Sequence, residues 1–94
     1  MGRLFDRIRS AAMQGRYLVG VHAGNQLDER GVLDWQVIAG IEDARLIRER
    51  PSAQPNPIIE LEQPLPDGTT IKVVWSWLPQ HKAAKLVTVH YLDR

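Results

Sequence analysis

The stretch Ile58-Ile59-Glu60-Leu61-Glu62, followed two residues later by Leu65-Pro66-Asp67-Gly68-Thr69 and then by Thr70-Ile71-Lys72-Val73-Val74-Trp75-Ser76-Trp77, reads as two strands and the tight turn that joins them. Ile59 and Leu61 alternate with Ile58, Glu60 and Glu62, and Ile71, Val73, Trp75 and Trp77 alternate with Lys72, Val74 and Ser76. A period of two sets one apolar face against one polar face, which a strand can use and a helix cannot. Between them Pro66 presets φ for the first corner, Asp67 tolerates the second, and Gly68 accepts a positive φ. The pair is therefore a hairpin, and the segments on either side are read from it.

Downstream, Leu78 to Lys85 contains Pro79 and makes the next connection, and Leu86 to Leu92 is a last strand with Val87, Val89 and Tyr91 alternating against Leu86, Thr88, His90 and Leu92. Upstream, three prolines between Pro51 and Pro57 make a loop, and Arg45 to Glu49 is an edge strand. Consecutive strands with short connections predict an antiparallel meander, roofed on one face only. The N-terminal half supplies the roof. In residues 3–14, Leu4, Phe5, Ile8, Ala11 and Ala12 make one helical stripe closed by Gly15. Tyr17 to Val21 is a short strand, His22 to Arg30 a helix closed by Gly31, and Asp34 the N-cap of a third helix with Trp35, Ile38 and Ile41 on one side and Val37 beside them. The expectation is an α+β domain whose sheet of three to five antiparallel strands is covered by Phe5, Leu27, Ile38 and Ile41. It is one domain: residues 1–15 are a helical extension and 17–92 the core.

Composition narrows the chemistry. The 94 residues hold no cysteine, which excludes disulfides, thiolate metal sites and a thiol nucleophile. Apolar content of 44 % and charged content of 24 % belong to a folded domain rather than a disordered one. No apolar run approaches the length of a membrane helix, and charges on nearly every turn from Arg3 to Arg9 argue against a secretory segment, so the cytoplasm is expected. The net charge is +1, but Arg3, Arg7, Arg9 and Arg16 are opposed by Asp6 alone at the N-terminus, and Arg45, Arg48 and Arg50 form a second basic cluster. Arginine suits phosphate, though such residues equally make a solvated helix face and a charged strand edge.

No phosphate-binding glycine loop, Gly-x-Ser-x-Gly elbow or histidine pair at helical spacing occurs, and neither cofactor nor metal is expected. Of the three histidines, His81 lies in the Pro79–Lys85 connection, where an exposed loop residue is the simplest reading. His90 lies on the polar side of the last strand with Thr88. His22 stands where a strand enters a helix, a position from which a side chain is aimed at a ligand or bonded to a backbone carbonyl. Trp75 and Trp77 share a strand face, which fits core packing better than base stacking. Glu60 and Glu62 make a carboxylate pair that Lys72 on the neighbouring strand neutralises in part, and they count against that face gripping an RNA backbone.

His22-Ala23, Asp28-Glu29-Arg30-Gly31-Val32 and Val87-Thr88-Val89-His90-Tyr91 together resemble the domain-of-unknown-function family 4258, over about Tyr17 to Tyr91. The resemblance implies a RelE/ParE-like toxin scaffold, within the barnase–colicin–RelE group of metal-independent ribonucleases. It further implies His22, Arg30 and His90 as catalytic residues, with a histidine as acid or base and Arg30 stabilising charge on the phosphate. The family carries a second basic residue four positions after its histidine, where this chain has Gln26. Two functions follow as expectations. One is a non-catalytic binding or assembly domain that engages a protein partner or a second copy through the N-terminal helix. The other is a toxin-like ribonuclease acting on RNA.

Overall fold

A computed structural model describes residues 3–92. The chain is α+β, with helices packed on one face of a five-stranded sheet. Helix α1 (Arg3–Met13) leads to β1 (Tyr17–Val19), α2 (Val21–Arg30) and α3 (Asp34–Gly40). A short 3-10 turn (Ile41–Asp43) then opens into β2 (Arg45–Arg50), β3 (Ile58–Pro64), β4 (Thr70–Leu78) and β5 (Ala83–Tyr91). The strand order is β1-β5-β4-β3-β2. Strands β2 to β5 are the antiparallel meander that the alternation predicts. Strand β1, by contrast, pairs with β5 in parallel, Tyr17 opposite Ala84 and Val19 opposite Leu86, so the sheet is mixed. Three residues of β1 carry no directional information in their sequence, because parallel and antiparallel neighbours want the same side chains.

The hairpin turn forms as read. The Gly68 N–H donates to the Leu65 carbonyl at 2.9 Å, and Gly68 takes a φ of 90° that a side chain would strain. Asp67 accepts from the Thr69 N–H at 2.8 Å, a bond that holds its carboxyl below the usual carboxylate range.

The sheet is roofed by more than the sequence assigned. Phe5, Ile8, Ala11 and Ala12 are buried in the core, so α1 is a central member of the roof and residues 3–13 are no extension. The stripe of Phe5, Ile8, Ala11 and Ala12 is spent on the sheet, and Met13 at the end of the helix is left exposed. The Phe5 N–H at its first turn donates to Glu49 Oε2 at 2.8 Å, so a carboxylate from β2 caps a helix that is remote in sequence. In α3 the buried residues are Val37 and Gly40, followed by Ile41, while Trp35 is exposed and Ile38 only half-buried. The covering stripe is thus rotated from the Trp35, Ile38, Ile41 side. Asp34 is the first helical residue rather than the N-cap; Leu33 holds the cap position, and its N–H donates to Gln36 Oε1 at 2.9 Å.

A buried polar bridge accompanies this orientation of α3. Gln63 of β3 is fully buried; its Nε2 donates to the Val37 carbonyl at 2.8 Å and its Oε1 accepts from Trp75 Nε1 at 3.1 Å. One side chain thereby ties α3 to β3 and β4 and satisfies both neighbours. Gly40 permits the approach, since a Cβ there would lie 2.6 Å from the Pro64 carbonyl oxygen.

In β5 the alternation breaks. Val74 faces Thr88 and Trp75 faces Leu86, so Val87 is a bulge residue and both Leu86 and Val89 reach the core. The expected set of Val87, Val89 and Tyr91 is therefore interrupted at Val87. No helix among the described residues is long and apolar enough to cross a membrane.

Candidate functional site

The residues singled out by sequence fall on two surfaces. The first is the free edge of β5. Because β1 pairs only with residues 84–86, the backbone beyond them is open on that side, and α2 lies along it. Gln26 Oε1 accepts the Val89 N–H at 2.8 Å, continuing with a side chain the pairing that β1 leaves off. The Tyr91 hydroxyl reaches the Gln26 carbonyl at 3.5 Å. Arg30 lays its guanidinium over the Tyr91 ring, 4.3 Å from the centroid. Burial raises the Tyr91 phenol above its ordinary range; the Arg30 charge works against that rise and Glu29 adds to it.

His22 stands in the first turn of α2 and is exposed. Arg30 is the last residue of the same helix, eight positions on. At about 1.5 Å per residue the two are separated by roughly 12 Å along the axis, and the Arg30 guanidinium is directed at the Tyr91 ring. His90 is exposed and follows the opposite direction from its neighbour Tyr91, which packs against the core on the helix side. The sheet therefore stands between His90 and the Arg30–Tyr91 stack. His22 thus stands at the start of α2, Arg30 at its end, and His90 on the sheet face with Lys72 and Thr88.

The second surface is the sheet face away from the helices. His90 sits opposite Lys72, and with Val74 and Thr88 they line a shallow groove of about 190 Å³. Next to it runs a charged ladder. Glu60 forms ion pairs with Lys72 at 3.3 Å and with Arg50 at 3.4 Å, and Glu62 accepts a hydrogen bond from Arg45 at 2.7 Å. Arg48 lies opposite Glu60 in the same register. The acids are thus neutralised by the expected cross-strand pairing, and cations outnumber them. The exposed Arg45–Glu62 pair is worth about 0–1 kcal/mol, whereas Glu60, its side chain 14 % exposed, is held between Arg50 and Lys72.

Sequence reasoning treated His81 as a plain loop residue and did not connect it with Lys85. Both line a cleft of about 430 Å³ at the end of the sheet, with Leu18, Asn56 and Leu78 as further walls. Nothing in the spacing of His81 and Asn56 signals this, because the cleft is closed by two connections far apart in the chain. No three of the His, Asp and Glu side chains among the described residues converge on a common metal position. No protein-family model matches the chain, and neither the curated proteins nor the solved structures contain a match to it.

Proposed function

We propose that this chain is a non-catalytic binding or assembly domain, built on the toxin-like scaffold that its sequence resembles. The observation that carries the reading is the use made of Gln26. At the position where the resembled family has a basic residue, the side chain is engaged with the Val89 backbone N–H at 2.8 Å and faces a strand edge instead of a substrate. The dispersal of His22, Arg30 and His90 points the same way, because transfer of a phosphoryl group from RNA needs base, acid and charge stabiliser around one phosphorus. Arg30 alone carries over from the helix motif, and it is stacked on Tyr91.

Overproduction in cells tests the reading directly. A binding domain leaves growth unchanged, whereas arrest of growth that is lost on His22→Ala or His90→Ala overturns it. The second reading, a metal-independent ribonuclease, is favoured by one observation: the excess of cations around His90 on the open sheet face. Incubation with RNA in chelator separates the two. Cleavage abolished by His90→Ala supports the ribonuclease; intact RNA supports the binding domain.

A further inference from the structure

Trp35 is 57 % exposed and Met13 52 %, whereas Trp75 is fully buried and Trp77 is 9 % exposed. The two exposed side chains stand on one groove of about 290 Å³ between the end of α1 and α3, walled also by Tyr17, Ile38, Ala39 and Glu42. Beyond Ala39 a second groove of about 280 Å³ continues past Gly40 to Asp43. The sequence makes this surface by giving α3 two stripes. Val37, Gly40 and Ile41 turn inward, and Trp35, Ile38 and Glu42 follow one another at helical spacing along the outer wall. Tryptophan and methionine left on a concave surface are the residue types that anchor partner chains, one by area and the other by adaptability.

The charge around the groove identifies the occupant. Glu42 lies in its wall, Asp43 in that of its continuation, and Asp34 precedes Trp35; no ion pair is seen for any of these three among the described residues. Of the arginines on this side of the chain, Arg16 is turned to the Lys82 carbonyl and to Gln14, and Arg9, one turn before Met13, is held by Asp6 and the Phe5 ring. A second copy meeting this surface across a two-fold axis would oppose the same acids to each other. Nucleic acid and anionic lipid are repelled for the same reason. We infer that the α1–α3 groove receives an amphipathic, basic helical segment of a partner protein, its apolar side on Trp35 and Met13 and its lysines or arginines on Asp34, Glu42 and Asp43. The inference deepens the binding-domain reading and rests on it.

The probe is a synthetic amphipathic peptide of about 18 residues with leucines at helical spacing and lysines elsewhere, beside the same peptide with glutamates for lysines. Trp35 reports binding, since it is the one tryptophan of the described set open to solvent. The lysine peptide should lower the acrylamide quenching of Trp35 to the level of the buried pair. Reversal of two rim charges, Glu42→Lys with Asp43→Lys, should weaken anisotropy-detected binding by about tenfold. Glu29→Lys on α2 should leave it unchanged. Trp35→Ala should abolish binding while near-ultraviolet dichroism shows the core intact. Unchanged quenching, equal binding of the glutamate peptide, or a concentration-dependent dimer lost in Trp35→Ala would each overturn the inference. Those outcomes differ from RNA cleavage, which would instead overturn the binding-domain reading itself.

Discussion

Replacing Gln63 by leucine removes a polar bridge inside the core, and its cost can be worked out from the contacts. Gln63 is fully buried and joins the Val37 carbonyl at 2.8 Å to Trp75 Nε1 at 3.1 Å. In Gln63→Leu both groups stay buried, and each loses its partner. An unsatisfied buried donor or acceptor costs about 1–3 kcal/mol, so the pair costs about 2–6 kcal/mol. The leucine returns about 1 kcal/mol through its additional apolar surface. The expected net loss is about 3 kcal/mol, a large part of the roughly 5–10 kcal/mol that stabilises a domain of this size. Urea unfolding followed by Trp fluorescence reads it as a fall in midpoint of about 2 M at an unchanged slope of about 1.5 kcal/mol/M. Gln63→Glu gives a second, pH-dependent reading. Its ionised form accepts from Trp75 but offers no donor to Val37, whereas its protonated form does both. Burial raises such a carboxyl above its unfolded value, so stability is lost as pH rises past the ordinary carboxylate range and returns on acidification. A loss below about 0.5 kcal/mol in Gln63→Leu, or a Gln63→Glu variant with no acid recovery, would refute the bridge as the tie between α3 and the sheet.

Other substitutions test neighbouring parts of the same account. Gly40→Ala puts a methyl 2.6 Å from the Pro64 carbonyl oxygen and should destabilise by about 2 kcal/mol, less than additively with Gln63→Leu because the two share Gln63 Nε2 as a neighbour; a double-mutant urea cycle measures the coupling. Glu49→Ala frees the Phe5 N–H at the start of α1 and should cost about 0.5–1.5 kcal/mol, read as a lower thermal midpoint, with Glu49→Gln recovering most of it. For Tyr91, whose phenol burial holds above the ordinary range while Arg30 opposes the rise, Arg30→Gln should raise the phenol further; spectrophotometric titration in a Tyr17→Phe background checks it. The sign for stability follows: the Tyr91 contribution is complete below the unfolded phenol value and is lost as pH rises through the folded one.

What the sequence disclosed depended on whether the signal was local. The hairpin from Ile58 to Trp77 was legible because alternation and turn chemistry agree within one stretch, and α1 was legible as a helix because Phe5, Ile8, Ala11 and Ala12 repeat at its period. The parallel pairing of β1 with β5 was not, since it joins Tyr17 to Ala84 across most of the chain. The exposure of Trp35 was hidden for a related reason. Apolar residues at 35, 37, 38 and 41 allow either of two helical faces to turn inward, and the face that does so is the one bonded to Gln63, which reads in isolation as a polar residue beyond a strand. The bulge at Val87 shifted the β5 pattern by one residue, so Leu86 appeared to face outward. For the candidate site, His22, Arg30 and Gln26 were placed on the correct helix, but whether they meet depends on the side-chain partners across α2 and β5, which no spacing rule supplies.

The net charge of +1 conceals a division of the surface. Cations collect on the open sheet face, where Arg45, Arg48, Arg50 and Lys72 outnumber Glu60 and Glu62, while Asp34, Glu42 and Asp43 gather beside α3. The two groups lie on opposite sides of the sheet layer, because the helices cover one face alone. Average charge is therefore a poor guide to partners here, and patch charge a good one. Because the faces are separate, an anionic partner on the sheet does not compete with a basic helix in the α1–α3 groove. Arg48→Ala with Lys72→Ala, which removes two cations of the sheet face, should leave the acrylamide shielding of Trp35 by the lysine peptide unchanged. A loss of shielding in that variant, with the fold intact by circular dichroism, would mean that the sheet face takes part in holding the peptide, and the assignment of the groove to a basic protein segment would fall with it.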